Sequence, residues 1–495
     1  MMLYNIPLLM VLVFLLLTLL VGFCASQKAT SFREYVVGNK RFSTVTLMAT
    51  LLATCFGGGA LITNVIRVHH NGLWWIIHML FSTINFWLIS RLSLHMGPFM
   101  QDLSIADTIG KIYGKYPRLI TALFCMAFYI IVANMQIHAM SLAIKMCIDS
   151  IDPRMITILA TLILIIYATF GGIRSVTTTD VLQFITLTII IFLLAKLLFA
   201  KTDKPILEIV SCLKKQENFQ LSSSYRLKPL SLFFLMLQNV ALSFDLLSIP
   251  KVYMSSSPIQ AKKVFLYGNF FGMLIFFAIV LIGLFVFIIN PTLPEMEVWE
   301  YIMANISPTF KGCIAIVLLA MTMSTADSSL HACSIVVSHD MMEIIQGTKG
   351  SPSHAYQIRL AKLTVIATGL LAMLLSLYYK NPLELIIWGM ALSTPIISAP
   401  FILAIFGFRG TSRTALIGMA ISVLATLSWN KWIKPLTGIE GDFYCIMANG
   451  LAMMAAHYLL PQPAGKGWVG INDQYKRMQQ LIRAFKKYKK TIDLE

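Results

Sequence analysis

The stretch Ala53-Thr54-Cys55-Phe56-Gly57-Gly58-Gly59 stands in the middle of an apolar run, 45–66, that is otherwise long enough to cross a bilayer. At about 1.5 Å rise per residue, roughly 20 apolar residues span a hydrocarbon core of about 30 Å. Consecutive glycines inside such a run loosen the helix, and an interrupted helix exposes backbone groups that lipid cannot satisfy. A second interruption, Ser243-Phe244-Asp245 followed by Ser248 and Pro250, falls in the run 231–250, five runs further along the chain. Matched interruptions at this interval predict an inverted repeat, whose two discontinuous helices hold ions and solute near the bilayer midplane. Glycine runs also serve as close-packing surfaces between membrane helices; the matched positions favour the broken-helix reading.

Composition widens that reading to the whole chain. Of 495 residues 57% are hydrophobic and only 12% charged, with a mean hydropathy of +0.76. A soluble chain is about one quarter charged, so a water-soluble fold is excluded. Thirteen apolar runs are predicted as membrane spans, at 7–25, 45–66, 73–97, 119–147, 154–170, 180–200, 231–250, 264–289, 311–337, 360–379, 383–406, 414–430 and 442–460. Nothing resembles barrel strands of about ten alternating residues, so the fold class is all-α, polytopic. The first run lacks a basic leader and is too long for a signal peptide, and Gly22-Phe23-Cys24 puts a bulky residue where a lipoprotein cleavage site needs a small one.

The formal charge of +17 is mostly topology. With the N-terminus outside and the C-terminus cytoplasmic, about 23 Lys and Arg fall in inner segments and about 10 in outer ones, as a multi-pass protein of the plasma (inner) membrane requires. Lys214, Lys215, Arg226 and Lys228 in the outer loop 201–230 run against this trend, but long loops weigh little. The basic tail, with Arg483, Lys486, Lys487, Lys489 and Lys490, reads as an amphipathic helix facing solvent or lipid headgroups. The eight cysteines include no C-x-x-C pair, so neither a disulfide framework nor a structural metal is expected. Residues 1–44 are expected to form a leading helix and loop, 45–406 the core that holds both interrupted runs, 407–460 two additional helices and 461–495 a tail too short to be a domain.

The predicted ninth span carries Met321-Thr322-Met323-Ser324-Thr325-Ala326-Asp327-Ser328-Ser329. Sodium is a hard cation and seeks oxygen ligands, as calcium does. Ser324, Thr325, Asp327 and Ser328 supply them within just over one turn. Intramembrane Ser and Thr alone usually bond back to their own helix. A carboxylate at membrane depth costs about 2.5 to 3.5 kcal/mol and marks a functional candidate. Asp180 opens the predicted sixth span, where it fits a helix N-cap as well as a functional carboxylate. His138, His69 and His70 read as packing or interfacial residues, and Arg67 as an interfacial anchor.

Tyr167-Ala168-Thr169-Phe170-Gly171-Gly172-Ile173-Arg174-Ser175-Val176, continuing through Thr179-Asp180-Val181-Leu182-Gln183, resembles the long signature of the sodium:solute symporters. Met323-Ser324-Thr325-Ala326-Asp327-Ser328 is similar to that family's M-S-T-A-D-S, and Ala53 to Gly59 to its first broken helix. Lys251-Val252-Tyr253-Met254-Ser255-Ser256-Ser257-Pro258 with Ala261-Lys262-Lys263 resembles the family's R-x-x-x-A-x-S-P loop, and Glu34-Tyr35-Val36-Val37-Gly38-Asn39-Lys40 its D-Y-F-L-A-G-R. The resemblance implies a five-plus-five inverted repeat of the leucine-transporter type with two broken helices. It implies a sodium site made by the backbone carbonyls of Ala53, Phe56 and Met321 and the hydroxyls of Ser324 and Thr325. Met321 stands where small Ala is common. Asp180, Asp327 and Ser328, with Ser324, would form a second cation or proton site. Solute would lie among Cys55, Gly58, Asn134, Gln136, Gln238, Ser243 and Asp245. Cys55 replaces the Asp or Asn of several members, so no particular solute is carried over.

The expected function is therefore sodium-coupled symport of a small organic solute into the cell by alternating access. The expected partners are that solute, sodium ions as the coupling ion and the lipid bilayer; no other cofactor, no nucleic acid and no enzymatic activity are expected. The alternatives are a transporter-like membrane sensor acting with a separate signalling partner, and a proton-coupled or sodium-independent homologue.

Overall fold

A computed structural model describes residues 5–26, 29–147, 152–220, 229–242, 244–346, 353–379, 382–463 and 465–469. The chain opens with α1 (Ile6–Ala25), a short α2 (Phe32–Val37), and the pair α3 (Thr44–Cys55) and α4 (Gly58–Asn71). Next come α5 (Leu73–Ser82), α6 (Ile84–Leu92), α7 (Ile105–Tyr113), α8 (Lys115–Cys147), α9 (Pro153–Lys201) and α10 (Ile206–Lys215). The second half holds α11 (Pro229–Leu242), α12 (Ile249–Met254), α13 (Pro258–Ile289), α14 (Val298–Ala304), α15 (Pro308–Ile335), α16 (Met342–Gln346), α17 (His354–Tyr378) and α18 (Pro382–Ile405). It closes with α19 (Ser412–Ser428), α20 (Lys434–Thr437) and α21 (Asp442–Leu459).

Among the described residues nine helices are long and apolar enough to cross a membrane, or ten if α3 and α4 are one bent span. The expected thirteen is not reached as a count, for identifiable reasons. Two expected spans, 154–170 and 180–200, are the two arms of α9, which join at the kink of Gly172 and so count once. The run 231–250 is divided into the short α11 and α12, and α21 carries Asp442, Asn449 and His457 among its apolar residues. One two-residue antiparallel pairing, Phe408–Arg409 with Gly467–Trp468, ties the start of the tail back to the end of α18. The expected helix of the basic tail lies outside the described residues.

Local sequence explains where the helices start. Ser257-Pro258 and Ser307-Pro308 each place a hydroxyl at the N-cap, accepting from the N–H of Gln260 and Phe310, and a proline where no intrahelical donor is needed. Gly172 sits in α9 at φ 55°, ψ −152°, a conformation only glycine adopts freely, and a Cβ there would lie 2.7 Å from the Tyr35 ring. Arg174, just past this kink, pairs with Glu34 at 2.9 Å. Two stretches that resemble family signatures thus meet at one bend. The Ser175 hydroxyl donates to the Gly22 carbonyl at 2.8 Å and binds α1 into the bundle.

α15 is the central post. Of its most apolar stretch 89% is buried, against 33% for α1, and it packs against α8, α9, α1, α17 and α3. A helix enclosed on all sides places every polar group it carries inside the protein.

Candidate functional site

The first break lies where the glycines predicted it. α3 ends at Cys55, Phe56 and Gly57 leave helical geometry (ψ 76° and 154°), and α4 departs at 63°. The last carbonyls of a helix have no intrahelical donor, so Ala53 to Phe56 present acceptors inside the bundle. The Thr325 hydroxyl donates to the Thr54 carbonyl at 2.8 Å and to the Met321 carbonyl at 3.1 Å. Of the five expected sodium ligands, Thr325 thus touches the Met321 carbonyl and reaches α3 at Thr54, the residue after Ala53 and two before Phe56. Met321 is buried with its side chain in the apolar core, leaving its carbonyl for this contact. The fifth, Ser324, turns about 100° away around α15 and donates to Asp180. A hydroxyl that gives its proton to a carbonyl or carboxylate keeps its lone pairs for a cation.

Asp180 is not an N-cap. It lies eight residues beyond the Gly172 kink inside α9, completely buried, and accepts hydrogen bonds from Thr50 of α3 and Ser324 of α15. Asp327 is equally buried; its Oδ2 accepts from the Tyr167 hydroxyl at 2.7 Å, while its Oδ1 meets no hydrogen-bond donor. The Ser328 hydroxyl lies 3.0 Å from that of Thr54 and accepts from the Lys251 ammonium at 3.2 Å. Asp180, Ser324, Asp327 and Ser328 thus belong to one polar centre, to which the structure adds Thr50, Thr54, Tyr167 and Lys251. A buried carboxylate oxygen without a donor is costly unless a cation or proton fills the gap, and this orphaned acceptor fits an alkali cation. Thr50 and Thr54 were legible as a pair one turn apart before the break, whereas Lys251 carried no local signal beyond its place in a motif.

Beside the first break lies a cavity of about 260 Å³ lined by Cys55, Phe56, Asn64, Asp245, Ser248 and Phe276, among others. Of the expected solute residues, Cys55 and Asp245 face it, with Cys55 Sγ 3.4 Å from the Ser248 hydroxyl. Asp245 organises the second break, accepting from Leu247 N–H at 3.1 Å and from the Ser248 hydroxyl at 2.7 Å just ahead of α12. Gln136 stands against Gly57, and Asn134 donates to the Ala372 carbonyl at 3.4 Å. Gly58 has a packing role: a Cβ there would lie 2.6 Å from Thr322 and 2.9 Å from the Leu318 carbonyl of α15. Gln238 is half-buried on α11 and is not among the cavity residues; Ser243 lies outside the described residues. Sequence reasoning missed Asn64, Ser248 and Phe276, which come together only through the bend.

Residues 35–422 match the profile of the Sodium:solute symporter family. The chain belongs to the sodium:solute symporter family. Its similarity to the sodium/sialic acid symporter NanT of Aliivibrio fischeri is 24% identity, over 74% of this chain and 75% of that one. For the sodium/sialic acid symporter SiaT of Proteus mirabilis it is 25%, over 67% and 71%. A sodium/proline symporter of Staphylococcus saprophyticus is 24% identical over 39% of each chain. The fold matches that of a Na+-coupled sialic acid symporter solved in a substrate-bound outward-open state, with TM-score 0.81 and 20% identity over 93% of this chain and 98% of that one. A nucleobase-cation-symport-1 family transporter in a closed conformation superposes with TM-score 0.60 at 11% identity, over 87% and 94%. The protein is a multi-pass, sodium-coupled symporter with the two-broken-helix fold, a transporter and not an enzyme.

The symporter holds a second buried polar cluster where α7, α8 and the end of α15 meet. Arg118 reaches Asp340 at 2.8 Å, Asp107 at 3.4 Å and also Glu343. Lys111 bridges Asp102 at 2.5 Å and Asp107 at 2.9 Å, and His339 lies 3.5 Å from Asp107. Asp107, His339 and Asp340 are close enough together to hold a metal ion, yet Arg118 and Lys111 already occupy the carboxylates. Burial alone would push the Asp107 carboxyl up; His339 and Lys111 outweigh it and hold the group well below the usual carboxylate range.

Proposed function

We propose that this symporter binds one sodium ion at the first break, through the carbonyls of Ala53, Phe56 and Met321 and the hydroxyls of Ser324 and Thr325, and a second cation among Asp180, Asp327 and Ser328. The observation that supports this best is the convergence of Thr325 on the open end of α3, beside a buried carboxylate oxygen with no donor. Sodium filling this centre draws α3, α9 and α15 together, and the solute closes the adjoining cavity before the bundle rocks to release both inward.

The cavity supports a reading of solute charge. Its one ionic lining residue among the described residues is Asp245, and no Lys, Arg or His faces it. An anion there would meet a buried carboxylate with no cation lining the cavity to offset it, at several kcal/mol. The solute is therefore a small organic molecule of neutral, zwitterionic or positive charge that offers hydrogen-bond donors to Asp245 and an apolar face to Phe56 and Phe276. The sialic acid of the relatives' names is an anion and is not carried over. In proteoliposomes, an inward sodium gradient should drive uptake from a panel of amino acids, amines, polyols and vitamins, without competition by N-acetylneuraminate. Sodium-driven uptake of N-acetylneuraminate itself would overturn the charge reading.

The paired carboxylates favour one alternative, in which a proton replaces the second sodium ion; uptake driven by a pH gradient in sodium-free vesicles would establish it. The proposed orientation puts residues 215 and 300 outside and residues 260, 350 and 490 inside. Cysteine labelling that finds residue 490 outside would reverse it. Residues 1–44, 45–406, 407–460 and 461–495 are the proposed leading helix, transport core, accessory helices and tail.

A further inference from the structure

Lys251 is 3% exposed, an unusual place for an ammonium group. It rides on α12, directly after the second break, and points into the polar centre of α3, α9 and α15, where it donates to Ser328 Oγ at 3.2 Å. Among the described residues it forms no ion pair within 4.0 Å, so it is not consumed by a direct partner. Its charge nevertheless acts on Asp180, Asp327 and Asp245. The side-chain hydrogen bonds to its carboxylates come from neutral hydroxyls: Thr50 and Ser324 on Asp180 and Tyr167 on Asp327, with Thr54 beside Ser328.

The charges of this centre do not balance. With both carboxylates ionised, Asp180 and Asp327 bring two negative charges and Lys251 one positive, which leaves one negative charge for a soluble cation to neutralise. Two uncompensated carboxylates side by side would repel strongly at low dielectric, and one fixed ammonium halves the deficit. Ser328 is the point where the two kinds of cation would meet, since its oxygen already accepts from Lys251 and still faces Thr54 of the first broken helix.

We propose that Lys251 is a tethered cation of the second ion site, whose ammonium substitutes for one soluble ion, so that Asp180 and Asp327 together take up a single sodium ion. The lysine also carries a consequence for coupling. Because α12 follows the second break, any motion of that half-helix moves a positive charge toward or away from the bound ion. Sodium affinity and the position of the second broken helix are thereby linked in both directions.

The proposal rests on the two-cation reading above, and its test separates the two. Purified protein in lipid nanodiscs is titrated with 22Na+, with choline replacing sodium to hold ionic strength constant. Lys251→Met removes the charge at similar length and is expected to bind one more sodium ion per protein than wild type, or to bind its ions at least about tenfold more tightly. Lys251→Arg keeps the charge and is expected to retain the wild-type ion count. Equal count and affinity in wild type and Lys251→Met would overturn the lysine proposal alone. A wild type that binds no 22Na+ would refute the sodium reading and this proposal with it. Should Lys251→Met fail to fold, Lys251→Met/Asp327→Asn decides. Removal of one charge of each sign is expected to restore a folded protein, and a double variant as unstable as the single one overturns the charge balance.

Discussion

Asp327 on α15 and Asp340 on the π-helical turn Val336–Met341 that continues it lie 13 residues apart in sequence, and both are completely buried. Arg118 grips Asp340 Oδ1 through Nε at 3.0 Å and Nη2 at 2.8 Å, while the Ser104 hydroxyl donates to Oδ2 at 2.6 Å. Asp327 has one neutral donor on Oδ2, none on Oδ1 and no cation in ion-pair range among the described residues. The same residue type at the same burial therefore does opposite work. Where the protein supplies both charge and donors, the carboxylate joins elements together; where it withholds them, the carboxylate keeps an oxygen open, as the proposed cation site requires. α12 touches both regions, with Lys251 at the open centre and the Tyr253 hydroxyl 2.7 Å from Thr108 in the closed one.

The largest effect should come from breaking the closed cluster. Arg118→Met strands Asp340 without its partner and is expected to cost about 3 to 5 kcal/mol, read as a lower thermal unfolding midpoint in detergent. Wild-type stability in that variant would erase the distinction between the two regions. Asp180→Asn and Asp327→Asn should behave in the contrary way. Each is expected to weaken sodium binding by about 2 to 4 kcal/mol and to abolish coupled uptake. Asp327→Asn should at the same time stabilise the sodium-free protein by about 1 kcal/mol, because a buried charge is removed. A variant that keeps wild-type sodium-driven uptake returns that carboxylate to an architectural role.

Smaller effects resolve the individual ligands. Ser324→Ala and Thr325→Ala each remove one neutral oxygen, worth about 1 to 2 kcal/mol, and should raise the sodium dissociation constant roughly 5-fold to 30-fold. Thr325→Ser should keep most of the affinity, and Ser338→Ala, whose hydroxyl only bonds back to the Ser334 carbonyl, should change nothing. Unchanged sodium activation in both alanine variants would remove the proposed site at the first break. The smallest effect is acid sensitivity of the closed cluster. The depressed Asp107 carboxyl contributes stability that is fully present above the unfolded-state value of about 4 and is lost as pH falls through the lower folded value. The unfolding midpoint should therefore drop less on acidification from about pH 5 to about pH 3 in Asp107→Asn than in wild type.

Much of the architecture was legible because it is local. Apolar runs, the glycines at 57–59, the Ser-Pro helix starts and the oxygen-bearing cluster of 324–328 act through hydropathy, backbone freedom and capping, properties that neighbouring residues carry with them. The same local logic left open the positions whose role depends on a distant partner. Asp180 has the sequence context of a cap, but its arm of α9 already starts at the Gly172 kink, so the residue lies within the helix and faces Thr50 and Ser324. Gly58 has the context of a solute-binding break, but α15 packs so closely that its missing side chain serves contact.

The sequence by itself determined that this is an all-helical membrane protein with two interrupted spans and a carboxylate-bearing oxygen cluster, because insertion in lipid leaves few other solutions. Only the tertiary structure decided that Ser324 faces Asp180 while its neighbour Thr325 faces the end of α3. It also decided that Asp327 keeps an open oxygen while Asp340 does not, and that Lys251 reaches the buried polar centre instead of the headgroups. Adjacent residues on a helix point about 100° apart, so their chemistry is set by which helices pack on each side, and those neighbours come from chain segments far away in sequence.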